Sequence, residues 1–179
     1  MLFRSLWGNG PGLVYFYGVA GTATISTNGN LIAGGSYGGG TLSVFATSGG
    51  GYTTLQFSNL VRNGRATLNL GTTTGNYGVS NRILFIGNGS NLVNTLLPVW
   101  MQVAADFLTY GANGVTNATY AATFTSSLTT QVVNNTATAT IANGGQQVYA
   151  LKLGANIDLN GNNLTIGDGT TAGMIFVNT

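Results

Sequence analysis

The chain has no cysteine, no histidine and no glutamate in 179 residues, and only 4% of its residues are charged. A typical soluble domain carries roughly 25% charged residues. Each absence closes a chemical route. Without cysteine there is no disulfide frame, no thiolate metal site and no thiol nucleophile. Without histidine there is no Ser-His-Asp triad and no imidazole ligand. The acidic side chains are Asp106, Asp158 and Asp168, so an acid–base pair has to be drawn from three aspartates. We assign no catalytic, cofactor-binding or metal-binding residue and read the chain as a non-enzyme without a cofactor.

Positive charge is scarce as well. The cations are Arg4, Arg62, Arg65, Arg82 and Lys152, and the net charge is +2. The pI of about 9.1 reflects the small number of titrating groups rather than a basic protein. Nucleic-acid binding needs several clustered cations against phosphates, and none is expected here. Long apolar runs are missing too. Spanning a bilayer takes about 20 apolar residues, whereas the longest runs are Ile83-Leu84-Phe85-Ile86 and Leu96-Leu97-Pro98-Val99-Trp100-Met101. No membrane span is expected, despite a mean hydropathy of +0.25. Gly8-Asn9-Gly10-Pro11-Gly12 interrupts the apolar stretch that a signal peptide requires. With the apolar ending Met174-Ile175-Phe176-Val177, this leads us to read residues 1–179 as a single β-solenoid segment, a fragment of a longer repeat protein.

What remains is polar, small and strand-forming. Glycine contributes 29 residues, and with threonine, asparagine and serine it makes up about half of the chain. Ala66-Thr67-Leu68-Asn69-Leu70 alternates apolar and polar residues, as do Ile157-Asp158-Leu159 and Leu164-Thr165-Ile166. That period of two is the signature of half-buried strands. Asn-Gly recurs at residues 9, 28, 63, 88, 113, 143 and 160. Both residues tolerate positive φ and so permit sharp turns. The spacing is too wide and uneven for a hairpin meander. It suits a parallel β-helix whose coils of roughly 20–30 residues hold short strands and tight corners, with an antiparallel β-sandwich as the second architecture. Stacked coils also account for the missing charges, because like charges stacked on one another repel while Thr and Asn form ladders. The stretch 96–108 fits helical and strand spacing equally.

Four blocks carry a family resemblance: Arg65-Ala66-Thr67-Leu68-Asn69-Leu70-Gly71, then Asn81-Arg82-Ile83-Leu84-Phe85, then Leu97-Pro98-Val99-Trp100 with Asp106-Phe107-Leu108-Thr109-Tyr110-Gly111-Ala112-Asn113-Gly114-Val115, and Leu151 to Leu159 followed by Gly161 to Ile166. In these the chain resembles bacterial autotransporter-associated β-strand repeat proteins, secreted polypeptides of the passenger type. The resemblance covers roughly residues 54–177. It implies an all-β, right-handed parallel β-helix, exported and displayed at the cell surface in association with the outer membrane, or released. It also implies an extended conformation for 96–110 and no catalytic residues within the repeat.

Several local features are candidate sites. Asp158-Leu159-Asn160-Gly161-Asn162 begins like a calcium loop, but an EF-hand requires Gly and Glu where the chain has Asn163 and Gly169. Asp158 and Asp168 together are the pair on which a polysaccharide-cleaving β-helix would depend. Asn-x-Ser/Thr at Asn88, Asn117, Asn134 and Asn163 occurs as often as chance predicts. Thr136-x-Thr138-x-Thr140, Thr72-Thr73-Thr74 and Thr22-x-Thr24 lack the regular interval of an ice-binding array. Tyr15, Tyr17, Tyr37 and Tyr52 are aromatic contacts for a glycan or covers for a coil end. The function expected is therefore a structural or adhesive surface segment. Its partners would be an extracellular glycan or a host or matrix surface, and the isolated segment would self-associate end to end. The alternatives are a polysaccharide-acting enzyme and a phage or matrix fibre component.

Overall fold

Short β-branched and alternating segments, cut by Gly and Asn, leave each strand only a few residues long. The computed structural model bears this out: the described residues hold strands and turns and no helix. It describes residues 12–19, 21–34, 39–45, 51–71, 76–87, 92–104, 106–122, 124, 128–170 and 173–177. The chain divides into two compact units, Met1–Asn117 and Ala118–Thr179.

The first unit begins with β1 (Gly12–Tyr17), β2 (Thr24–Asn28) and β3 (Leu31–Ala33). It continues with β4 (Gly39–Phe45), β5 (Thr53–Phe57), β6 (Leu60–Arg62), β7 (Thr67–Gly71) and β8 (Asn81–Phe85), then β9 (Met101–Gln102), β10 (Leu108–Gly111) and β11 (Gly114–Asn117). Three stacks form, β1-β4-β7-β9, β2-β5-β8 and β3-β6, and every pairing within them is parallel. The chain visits the three stacks in the same order twice, then the first two again, and returns to the first at β9. Partners lie a nearly constant distance apart in sequence: Leu55 pairs with Ile83, and Asn28 and Asn30 meet residues 28 and 29 positions later.

Register in the second stack follows the alternation of the sequence. Leu55, Phe57, Ile83 and Phe85 point inward and are buried, and so are Thr53 and Asn81. Phe57 and Phe85 are register partners, with ring centroids 6.1 Å apart. In the first stack Leu68, Leu70 and Met101 are buried, and they share one core with Leu55, Phe57, Ile83 and Phe85 and with Phe16, Leu60 and Val115. Full burial of a Leu or Ile contributes about 1.5–3 kcal/mol. At the corner after β2 and β5, Asn59 Nδ2 donates to Asn30 Oδ1 at 3.0 Å, a like-on-like pair across adjacent rungs.

The stretch 96–108, open between helix and strand on spacing alone, is neither a helix nor one continuous strand. Tight antiparallel bridges join Val93 to Leu96 and Val103 to Asp106, with positive φ at Asn94, Thr95 and Ala104. This brings Leu96, Leu97, Phe107 and Leu108 into the interior together. The following Asn-Gly lies in a true hairpin, in which Ala112 and Asn113 join the antiparallel β10 and β11. That hairpin packs on β8. Tyr110 Oη accepts Phe85 N–H at 2.8 Å and donates to Phe85 O at 3.2 Å, and its ring continues the Phe57–Phe85 row at 6.2 Å. Gly114 has φ of 85°, and a Cβ there would strike the carbonyl oxygen of Ile83.

The second unit contains β12 (Leu128–Asn135), β13 (Ala139–Thr140), β14 (Gln146–Leu153), β15 (Ile157–Asp158), β16 (Leu164–Ile166) and β17 (Met174–Val177). All its pairings are parallel. β14 is central: β12 lies on one edge, and β16 and β17 share the other. Ala139 pairs with Ile157 and Gln146 with Leu164, a spacing shorter than in the first unit. Val148, Tyr149, Ala150 and Leu151 are all buried, as a strand covered on both faces requires. Side-chain amides tie successive strands at their ends: Asn135 Nδ2 donates to Ala155 O, and Gln147 Nε2 to Gly167 O, each at 2.9 Å.

The Tyr110 hydroxyl serves as a substitute rung for β8. Removing it in Tyr110→Phe leaves both Phe85 backbone groups without that partner and is expected to cost about 1–3 kcal/mol. Urea unfolding of wild type and variant, followed by tyrosine and tryptophan fluorescence, measures the difference.

Candidate functional site

With few carboxylates available, the cations find other partners. Among the described residues, Arg62 lies over the Trp100 ring at 5.4 Å, Arg82 over the Tyr52 ring at 3.9 Å and Lys152 over the Tyr120 ring at 5.9 Å. Arg62 Nε also donates to Ala66 O at 2.7 Å and Arg82 Nε to Val79 O at 2.9 Å. One backbone acceptor and one aromatic face thus fix each guanidinium. Such a cation–π pair contributes about 0.5–1 kcal/mol at an exposed site.

The Arg82–Tyr52 pair forms one side of an open groove on the outward face of the second stack. Alternation in β2, β5 and β8 points Ile25, Thr54 and Arg82 outward in one column and Thr27, Gln56 and Leu84 in the next. The hairpin tip supplies Ala112 and Asn113. The groove encloses about 260 Å³ and has no acidic residue in its lining. Thr54 forms its floor and is only 5% exposed although it faces outward. Thr27 Oγ1 donates to Gln56 Oε1 at 3.3 Å, which turns the Gln56 amide. The groove therefore presents a fixed cation and side-chain amides beside the apolar Ile25 and Leu84.

Of these residues only Tyr52 is a candidate ligand contact on the sequence alone. Arg82 sits in an apolar strand and reads as an ordinary outward-facing charge. The available signal was the 28-residue register, which sets Thr54 beside Arg82 and so brings Tyr52, two residues earlier on the same face, within reach of the guanidinium.

The other sequence candidates are dispersed. Asp158 Oδ1 accepts Asn160 N–H at 2.9 Å, and Asn162 N–H bonds Leu159 O at 2.8 Å, with positive φ at Asn160 and Gly161. The calcium-like segment is thus a tight Asn-Gly corner. Asp168 Oδ1 accepts both the N–H and the hydroxyl of Thr170 at 2.9 Å. The two aspartates occupy different strands' ends, Asp158 on β15 and Asp168 after β16. Tyr15 and Tyr17 lie outward on β1, 50% and 63% exposed, with ring centroids 6.2 Å apart, while Phe16 between them is buried. Thr136, Thr138 and Thr140 are exposed. Tyr37, Asn88 and Thr72-Thr73-Thr74 lie outside the described residues.

In comparisons with known proteins, no family model matches the chain, and no curated protein or solved structure matches it. No helix among the described residues is long and apolar enough to cross a membrane.

Burial of Tyr149, followed by the nearby Asp168 carboxylate, raises its phenol above the ordinary value of 10.0. Between pH 10 and that raised value the folded chain keeps a proton that the unfolded chain has lost. This contribution to stability is complete below pH 10 and is lost as pH rises beyond it. Melting temperature should fall with pH in that range, and Tyr149→Phe should flatten the fall. Thermal scans of both proteins across pH 10 give the two slopes.

Proposed function

We propose that this chain is a right-handed parallel β-helical segment of a secreted or surface-exposed bacterial polypeptide, associated with the outer membrane or released. Its role is structural or adhesive, with no catalysis of its own. It is a repeat protein of the autotransporter passenger type, an adhesin whose partners are extracellular glycans or host and matrix surfaces.

The observation that carries this reading is the repeated visit to three parallel stacks at intervals of 28 or 29 residues up to β8, with a step of 33 from β7 to β9. One circuit of the stacks then equals one coil. Right-handedness follows from the general preference of parallel crossover connections. A low-charge surface of Thr, Asn and Ser, fastened by side-chain amides, suits a protein that works by its surface rather than by a reaction. The mechanism is mechanical. The backbone ladder keeps the coils rigid, and their outward columns present a fixed pattern of side chains.

Surface location is tested by treating intact producing cells with protease and probing with an antibody to this chain. Loss of signal from intact cells, or signal in the medium, is expected. A chain protected until the cells are lysed would overturn the reading.

Among the described residues β2 and β3 are end strands of their stacks, whereas the hairpin packs on β8 at the other end of the second stack. Unpaired strand edges recruit other strands. Sedimentation velocity on the isolated chain should therefore show mass increasing with concentration, and a monomer at every concentration would count against end-to-end association.

A further inference from the structure

We propose that the Tyr52–Arg82 groove binds an acidic sugar, the anion on Arg82 and the ring hydroxyls on Gln56 and Asn113. The inference rests on the adhesive reading only for where the ligand comes from.

The charge balance of the groove points to an anion. Arg82 uses Nε on Val79 O and its face on Tyr52, and it makes no further hydrogen bond or ion pair within the described chain. Its two terminal nitrogens stay available, held by a backbone carbonyl and a ring rather than by a flexible stem. Pre-set guanidinium donors suit carboxylate and sulfate oxygens. The absence of acidic groups from the lining leaves that charge uncompensated and gives a metal ion no anionic ligand. A single cation is too few for a nucleic-acid backbone.

The remaining lining indicates a sugar rather than a simple inorganic anion. Thr27 holds Gln56 Oε1, so Nε2 is left as a donor, and the Asn113 amide makes no hydrogen bond within the described chain. An amide supplies both a donor and an acceptor, the pairing that a sugar hydroxyl needs. Ile25 and Leu84 provide apolar surface for the C–H side of a ring. About 260 Å³ accommodates a single sugar unit with its substituents, and the open side lets a longer chain run past. Carboxylate-bearing and sulfate-bearing sugars share this chemistry.

The full chain, labelled with nitrogen-15, is titrated with glucuronate, galacturonate, sialic acid and galactose 6-sulfate, and with neutral glucose and galactose. The signals read are Arg82 Nε–H and the side-chain amides of Gln56 and Asn113. At least one acid should move all three, and the neutral sugars should bind about tenfold or more weakly, as expected for losing a charge-assisted hydrogen bond. Added salt should weaken the acid alone. Arg82→Gln should lose affinity by about tenfold or more with its amide spectrum otherwise preserved. Asn113→Ala, at an exposed turn, should weaken binding less and supplies the test if Arg82→Gln does not fold. A response to carboxylates or to the sulfate alone identifies the anion. Shifts equal for neutral and acidic sugars, no shift with any of the four acids, or unchanged binding in Asn113→Ala together with a folded Arg82→Gln would overturn the proposal. Binding by a chain that proves to be protected inside cells would leave the groove standing and remove the adhesive reading. A surface-exposed chain with a silent groove would do the reverse.

Discussion

Parallel pairing between strands 28 or 29 residues apart, lengthened to 33 only between β7 and β9, is the constraint on which the first unit depends. A parallel ladder places each residue directly beside its register partner about 4.8 Å away, so every side chain has to tolerate its neighbour along the stack. Leu55 beside Ile83 and Phe57 beside Phe85 satisfy this inside, and Asn30 beside Asn59 satisfies it at a corner. A glutamate or lysine column would not. The scarcity of charge in the sequence is thus a condition of the stacking, and the three cations described over rings are those the stacks accommodate on aromatic faces.

The same ladder requires a way to stop. An edge strand offers its backbone to any other strand. At β8 the chain answers with a hairpin of its own, whose Tyr110 hydroxyl takes both backbone groups of Phe85 and whose Gly114 allows the closest approach to Ile83. The hairpin that covers the edge also raises one wall of the groove, since Ala112 and Asn113 are its turn. Edge protection and the candidate binding surface are therefore products of one local structure. Replacing the glycine or the tyrosine would affect both.

Two units with different spacings show how far one chemistry stretches. In the second unit Ala139 pairs with Ile157 and Gln146 with Leu164, and the central β14 is buried on both faces. The shorter spacing leaves less chain for corners. Corners there place two successive residues at positive φ, Asn160 with Gly161 and Gly144 with Gly145, and use aspartates bonded to the backbone two residues on. The acidic residues that looked most like chemistry in the sequence are thus occupied in forming turns.

Much of the fold was legible from the residues. Period-two alternation located β7, β15 and β16, and the recurring Asn-Gly marked corners after β2, β6, β13 and β15. Composition by itself determined that the chain is built from short strands with little charge, because such residues bury too little surface per turn of helix and suit stacked strands. It could not determine which strands pair, since alternation gives the face of each residue but not its neighbour across the sheet. The hairpin at 112–113 read no differently from the corner at 160–161, and 96–108 fitted two periods at once. Only the tertiary structure brought Tyr52, Gln56, Arg82 and Asn113 to one groove, because register joins residues tens of positions apart that no local pattern connects.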